Sequence, residues 1–165
     1  MLTKKTRSKD KPSVVVQFAV PRRGVPGAAS LRRWALASSG AARRVLVRIV
    51  GAREGRLLNR NFRRSDRPTN VLSFSYDGQG DIVLCHPIVV REARAQGKSV
   101  AAHYAHLVIH GMLHLRGHRH ARKQDAARME RAEIRVLARL GFSDPYTIEY
   151  GPSTASARAV RERQR

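Results

Sequence analysis

The chain has 165 residues, of which 42% are hydrophobic and 27% charged. That fits one globular domain with a real core and excludes a largely disordered chain. The net charge is +21, and 27 of the 33 basic residues are arginine. A field of that sign attracts polyanions, nucleic acid first among them, although an arginine-biased genome would raise the same count.

The basic residues are not confined to the ends. The first twelve residues carry five of them against Asp10, and the last fifteen carry four arginines against Glu162, so +14 stays on residues 13–150. No apolar run approaches the ~18 residues of a membrane span. One cysteine, Cys85, excludes an internal disulfide and fits a reducing compartment, so a cytoplasmic location is expected. The basic start followed by "SVVVQFAV" resembles a secretory leader. Its apolar run is short, broken by Gln17 and followed by "PRR", so it reads as a strand behind a basic tail.

Val14 to Val20 is β-branched and strand-like. A Pro/Gly loop follows, and Ser30 is placed to N-cap a helix beginning "LRRWALASS" that ends at Gly40. Arg44 to Val50 forms a second strand. "AREGRLLNRNFRR" reads as a helix despite Gly55, with Leu57, Leu58 and Phe62 for its inner face. "SDRPTN" is turn chemistry, "VLSFSYD" alternates as a strand, and "GQGD" closes a hairpin into "DIVLC". A helix starts near Pro87 and stops at Gly97. A long helix runs from Ser99 to about Arg116, with Gly117 as its left-handed stop. In the final helix, "QDAARMERAEIRVLARLG", Met129, Ile134, Leu137 and Leu140 keep helical spacing. The last fifteen residues lack periodicity and read as a disordered basic tail. The expectation is a single mixed α/β (α+β) domain with about four strands and about five helices.

The segment "HGMLHLRGHRH" holds four histidines in eleven residues. His110 and His114 are four apart, which stacks them on one helix face within reach of one ion. Gly117 lets the chain reverse and bring His120 back. Three imidazoles with an open position suit a catalytic Zn²⁺ or a similar divalent ion, at the end of the long helix. His103 and His106 lie on nearly the same stripe and read as core or supporting groups. The zinc-protease pattern H-E-x-x-H-x-x-G-x-x-H has the same spacing, with its glutamate as general base. Here that position is Gly111, which disfavours a protease and favours a metal-dependent hydrolase of another substrate.

Three blocks resemble a known family. "LNRNFRRSDRPTNVLSF" (58–74) is similar to L-N-x-x-[YF]-R-x-x-D-x-P-T-N-V-L-S-F, "GDIVLC" (80–85) to G-D-[IL]-x-[IL]-[CS], and "HGMLHLRGHRH" to H-G-x-L-H-L-x-G-Y-D-H. Order and separations match those of the bacterial YbeY proteins, from about Val14 to Tyr146. This resemblance implies a YbeY-like metallohydrolase domain over residues 13–150, between basic tails at 1–12 and 151–165. It implies a zinc-dependent, single-strand-specific endoribonuclease of rRNA maturation (small-subunit rRNA 3′ end processing) and ribosome quality control. The partners so implied are rRNA, the ribosomal small subunit and its proteins, and a ribosome-associated GTPase.

Residue by residue, the resemblance assigns metal to His110, His114 and His120, and a catalytic, substrate-binding role to Arg63. A guanidinium suits that role, because it donates two hydrogen bonds to a phosphate and stabilises developing charge. Thr69 and Asn70 read as backbone caps or substrate contacts. Asp81 reads either as an orienting group for a histidine or water, or as a turn residue at a strand end. One departure stands out: His118 and Arg119 replace the family's Tyr-Asp. Arginine cannot accept a hydrogen bond from an imidazole, and His118 is a competing ligand. An alternative function therefore remains, an RNA-binding ribosome-assembly factor with a mainly structural metal.

Overall fold

The computed structural model describes residues 12–38, 42–118 and 122–147. Arg119, His120 and nearly all of both tails lie outside the described residues. The elements in order are β1 (Ser13–Phe18), α1 (Ala28–Ala37), β2 (Arg44–Val50), α2 (Ala52–Arg63), β3 (Val71–Tyr76), β4 (Gln79–Cys85), α3 (His86–Ala95), α4 (Val100–Leu115) and α5 (Lys123–Arg139). This is the expected α+β arrangement, with four strands and five helices among the described residues.

The sheet order is β1-β2-β4-β3. β1 and β4 run parallel to β2, and β3 is antiparallel to β4. Asp77 and Gly78, at φ 44° and 75°, form the two-residue link between β3 and β4, where a hairpin with right-twisted strands favours positive φ. Ile82, Val83, Leu84 and Cys85 are all buried. Such an unbroken apolar run marks a strand covered on both faces. Val45, Val47, Ile49, Ile82 and Leu84 join α1, α4 and α5 in the larger core. Val83, Cys85 and Leu72 face the other way, with Leu58 of α2 packed against them.

α4 is the central helix. Its Ser99 cap accepts a hydrogen bond from Ala102 N at 3.1 Å, as its place before the apolar run foretells. The helix stops at Gly117, whose φ is 91°. His118 N donates to Leu113 O, and Gly117 N to His114 O; this paired closure needs a left-handed residue at Gly117.

Close approach to the sheet depends on Gly111. A Cβ there would lie 3.0 Å from Ile82 Cγ2, and Ile82 is fully buried. Gly111→Ala gains helix propensity of about 0.5–1 kcal/mol but overpacks this seam at about 1–3 kcal/mol. Net destabilisation is expected, read as a lower midpoint in thermal unfolding. An unchanged or raised midpoint contradicts the packing argument.

Two local expectations are corrected. α1 begins at Ala28 with Gly27 as its cap and no side-chain cap bond, so Ser30 lies inside its first turn. Ala28 and Ala29, strong helix formers, extend the helix back to the Pro-Gly break. In α2, Leu57 and Phe62 are 49% and 64% exposed. The helix meets β4 through Gly55, where a Cβ would stand 3.0 Å from Cys85 Sγ. Buried Asn59 lies one turn on, and this rotation turns Leu57 and Phe62 outward. No helix among the described residues is long and apolar enough to cross a membrane.

Candidate metal centre

The spacing of His103, His106, His110 and His114 puts them on one stripe of α4, and successive rings along it lie 6.3, 6.3 and 4.6 Å apart. At the C-terminal end of the stripe, His110 Nε2 and His114 Nε2 are 3.1 Å apart. Two lone pairs repel at that distance unless a proton or a cation lies between them. A tetrahedral ion with Zn–N bonds of ~2.0–2.1 Å would hold two such nitrogens ~3.3 Å apart. The pair therefore fits a divalent ion with little adjustment.

The proton that decides this lies on the other side of the His110 ring. His110 Nδ1 is 2.5 Å from Glu133 Oε1. Glu133 is fully buried, and its second oxygen, Oε2, meets His106 Nε2 at 2.9 Å and the Tyr146 hydroxyl. Burial by itself raises the carboxyl, but the bonds from His106, His110 and Tyr146 outweigh it and bring the group down to about 2. Glu133 is thus an ionised acceptor. Tyr146 stays a donor, because burial and then its bond to Glu133 push its phenol far above the ordinary value. An ionised carboxylate only accepts, so His110 Nδ1 carries the proton and Nε2 keeps its lone pair. This is the carboxylate–histidine arrangement that orients imidazoles toward metals.

Beside His110 opens a cleft of about 350 Å³, with Asn70, Glu92, His103, His106 and Tyr146 among its walls. Asn70 does two jobs. Its Oδ1 accepts from Val71 N at 2.6 Å, the local cap expected of it, and its Nδ2 donates to Glu92 at 3.0 Å. Glu92 Oε2 meets His103 Nε2 at 2.7 Å. Burial lowers the His103 pKa against the pull of Glu92, which favours a neutral ring that donates to the carboxylate.

The remaining expected residues are elsewhere. Asp81 accepts from the Tyr76 hydroxyl at 2.9 Å, on the α2 face of the sheet, and among the described residues it meets no histidine. His118 shares a shallow pocket with Asp125 and Arg128. His120 lies outside the described residues, and among those described no group of three or more His, Cys, Asp or Glu side chains could hold a metal ion. Arg63 is the last residue of α2, a helix whose Leu58 packs on the other face of the sheet. It is exposed and is not among the residues lining the His110 cleft.

Around Arg63 the backbone is held firmly. Arg64 caps the helix in the left-handed region, at φ 54°, and Asn59 Nδ2 donates to Arg67 O at 2.6 Å. With the Arg56–Asp66 pair at 2.9 and 2.7 Å, this fixes a loop around which Arg53, Arg60, Arg63, Arg64 and Arg67 are exposed.

Sequence reasoning missed Glu133 and Tyr146. A signal for Glu133 was available, since it stands four residues after Met129 and four before Leu137, on the buried stripe of α5. An acidic residue on an apolar stripe needs partners.

The family described as Endoribonuclease YbeY matches residues 28–141. This chain belongs to the YbeY family. An Endoribonuclease YbeY of Nitrosomonas eutropha is 45% identical over 140 residues, covering 82% of this chain and 99% of the relative. One from Aromatoleum aromaticum is 52% identical over 125 residues, covering 73% and 81%. A solution structure of a Thermotoga maritima protein has a TM-score of 0.51 at 24% identity, covering 84% of this chain and 98% of that one. That likeness concerns the fold alone. The YbeY match spans α1 to α5 and includes the histidine stripe, Glu133 and Arg63, but not Tyr146.

Proposed function

We propose that this protein is a metal-dependent endoribonuclease that cuts single-stranded RNA, acting in the cytoplasm on small-subunit rRNA during its maturation and in ribosome quality control. The observation that carries the reading is the pair of Nε2 atoms 3.1 Å apart, with Glu133 Oε1 2.5 Å from Nδ1 on the other side of the His110 ring. Membership of a family described as endoribonucleases supplies the substrate class. The charge of +21 suits an RNA backbone. His110, His114 and His120 would hold Zn²⁺ or another divalent ion.

When bound, such an ion polarises a phosphoryl oxygen and lowers the pKa of water. The chain's own residues do the rest. Glu133 keeps a proton on His110 Nδ1. The cleft beside His110 offers the hydrogen-bonded side chains of Asn70, Glu92 and His103 along its wall. Arg63 donates to a phosphate, and the exposed arginines around the loop after α2 hold the flanking backbone. The rRNA, the small subunit with its proteins, and a ribosome-associated GTPase are the proposed partners.

The test uses the purified full chain on a single-stranded rRNA fragment and on the same sequence as a duplex. Cleavage of the single strand alone is expected, lost on chelation and restored by Zn²⁺. Binding without cleavage at any metal supply would leave the assembly-factor reading and remove the enzymatic one.

A further inference from the structure

We infer that Glu133 is a positioning residue that holds His110 in its metal-binding tautomer, and that Tyr146 holds Glu133. The inference rests on the metal reading above and adds to it the residues that set affinity. On the inner face of α5, Met129, Ala132, Val136 and Leu137 are buried and apolar, and Glu133 among them is completely inaccessible. A carboxylate in such a seam is strongly disfavoured unless donors surround it. Here three do: His110 Nδ1 on Oε1, and His106 Nε2 and the Tyr146 hydroxyl on Oε2. All three point at the carboxylate, so the His110 ring receives its orientation from α5.

Tyr146 reaches Glu133 from the segment after α5, which is tied down separately. Phe142 packs edge-on against Trp34, with centroids 5.8 Å apart. Lys98 Nζ donates to Pro145 O, and Asp144 accepts from Tyr146 N at 2.8 Å. Docking of this segment therefore bears on the metal site through one hydroxyl. Tyr146 Oη also lies 3.3 Å from His106 Nε2, so the two donors sit side by side on the second carboxylate oxygen.

Glu133→Gln keeps the shape but replaces one carboxylate oxygen with an NH₂, which sets donor against donor either at His110 or at the His106 and Tyr146 pair. With its nitrogen toward His110, the ring must move its proton to Nε2 and give up the lone pair. The test measures Zn²⁺ affinity by chelator competition, and the His110 tautomer by ¹⁵N NMR of the metal-free protein. Wild type should show the proton on His110 Nδ1. Glu133→Gln should bind Zn²⁺ about 10–100-fold more weakly with a mixed tautomer. Tyr146→Phe, which keeps the ring, should lose about two- to tenfold, the worth of one hydrogen bond.

A wild-type His110 protonated on Nε2 overturns the inference without reference to any variant. So does a folded Glu133→Gln with wild-type affinity and tautomer, and in that case the metal reading stands. If Glu133→Gln does not fold, unaltered affinity in Tyr146→Phe overturns the linkage. A wild-type chain that binds no Zn²⁺ removes both this inference and the metal reading.

Discussion

His114→Ala is expected to leave a folded protein that no longer retains zinc and no longer cuts RNA. His114 is only partly buried on α4, so its truncation opens no sealed cavity, and the unfolding midpoint of the metal-free protein should stay near that of wild type. The chemistry loses far more. Removing a ligand should exceed the roughly 10–100-fold loss in affinity that follows removal of a ligand's supporting partner. Cleavage should fall to the background of a metal-stripped sample. Zinc content after gel filtration, circular dichroism and single-strand cleavage measure the three quantities together. A folded variant that keeps both zinc and activity would show that the 3.1 Å pair is a helix-surface contact.

The fold was legible wherever one periodicity dominates. The β-branched run Arg44–Val50 closed by Gly51, and the Ser99 and Gly117 punctuation of α4, placed those elements almost to the residue. α2 was recognised as a helix but rotated wrongly, because pattern reading counts Leu57 and Phe62 as core and Gly55 as a defect. Packing reverses this: a helix settles closest to a strand where it has the smallest side chains. In the candidate site, the i, i+4 pair His110 and His114 was visible from local geometry. Glu133 showed only as an acidic residue on the apolar stripe of a different helix, and the α4–α5 packing alone shows which imidazole it meets.

Gly111 shows how the two levels correct each other. Read as a sequence, it marks the absent base of a zinc protease. Read in the fold, it is the point where α4 touches Ile82. A glutamate there has no room without moving α4 off the sheet, and with α4 would go His110 and His114. The chain's departure from the protease pattern is thus a packing constraint on the whole site, and restoring that one residue cannot restore that chemistry.

Arg63→Ala should separate chemistry from metal binding. Arg63 is exposed at the end of α2 and touches neither His110 nor His114, so stability should stay within about 0.5 kcal/mol of wild type and zinc affinity should not move. If the guanidinium meets charge that develops on the phosphoryl group, kcat should fall by about 10²–10³-fold, as when a stabilising donor is removed. Arg63→Lys should recover only part of this, because an ammonium cannot make the paired contact. Arg60, exposed on the preceding turn of α2, is the control. As a contact to RNA backbone alone, its loss should weaken binding evenly across sequences and reduce the salt dependence by about one unit, with kcat preserved. Two variants with the same modest loss of affinity and unchanged kcat would make Arg63 one more backbone contact, and the transition-state role assigned to it would be withdrawn.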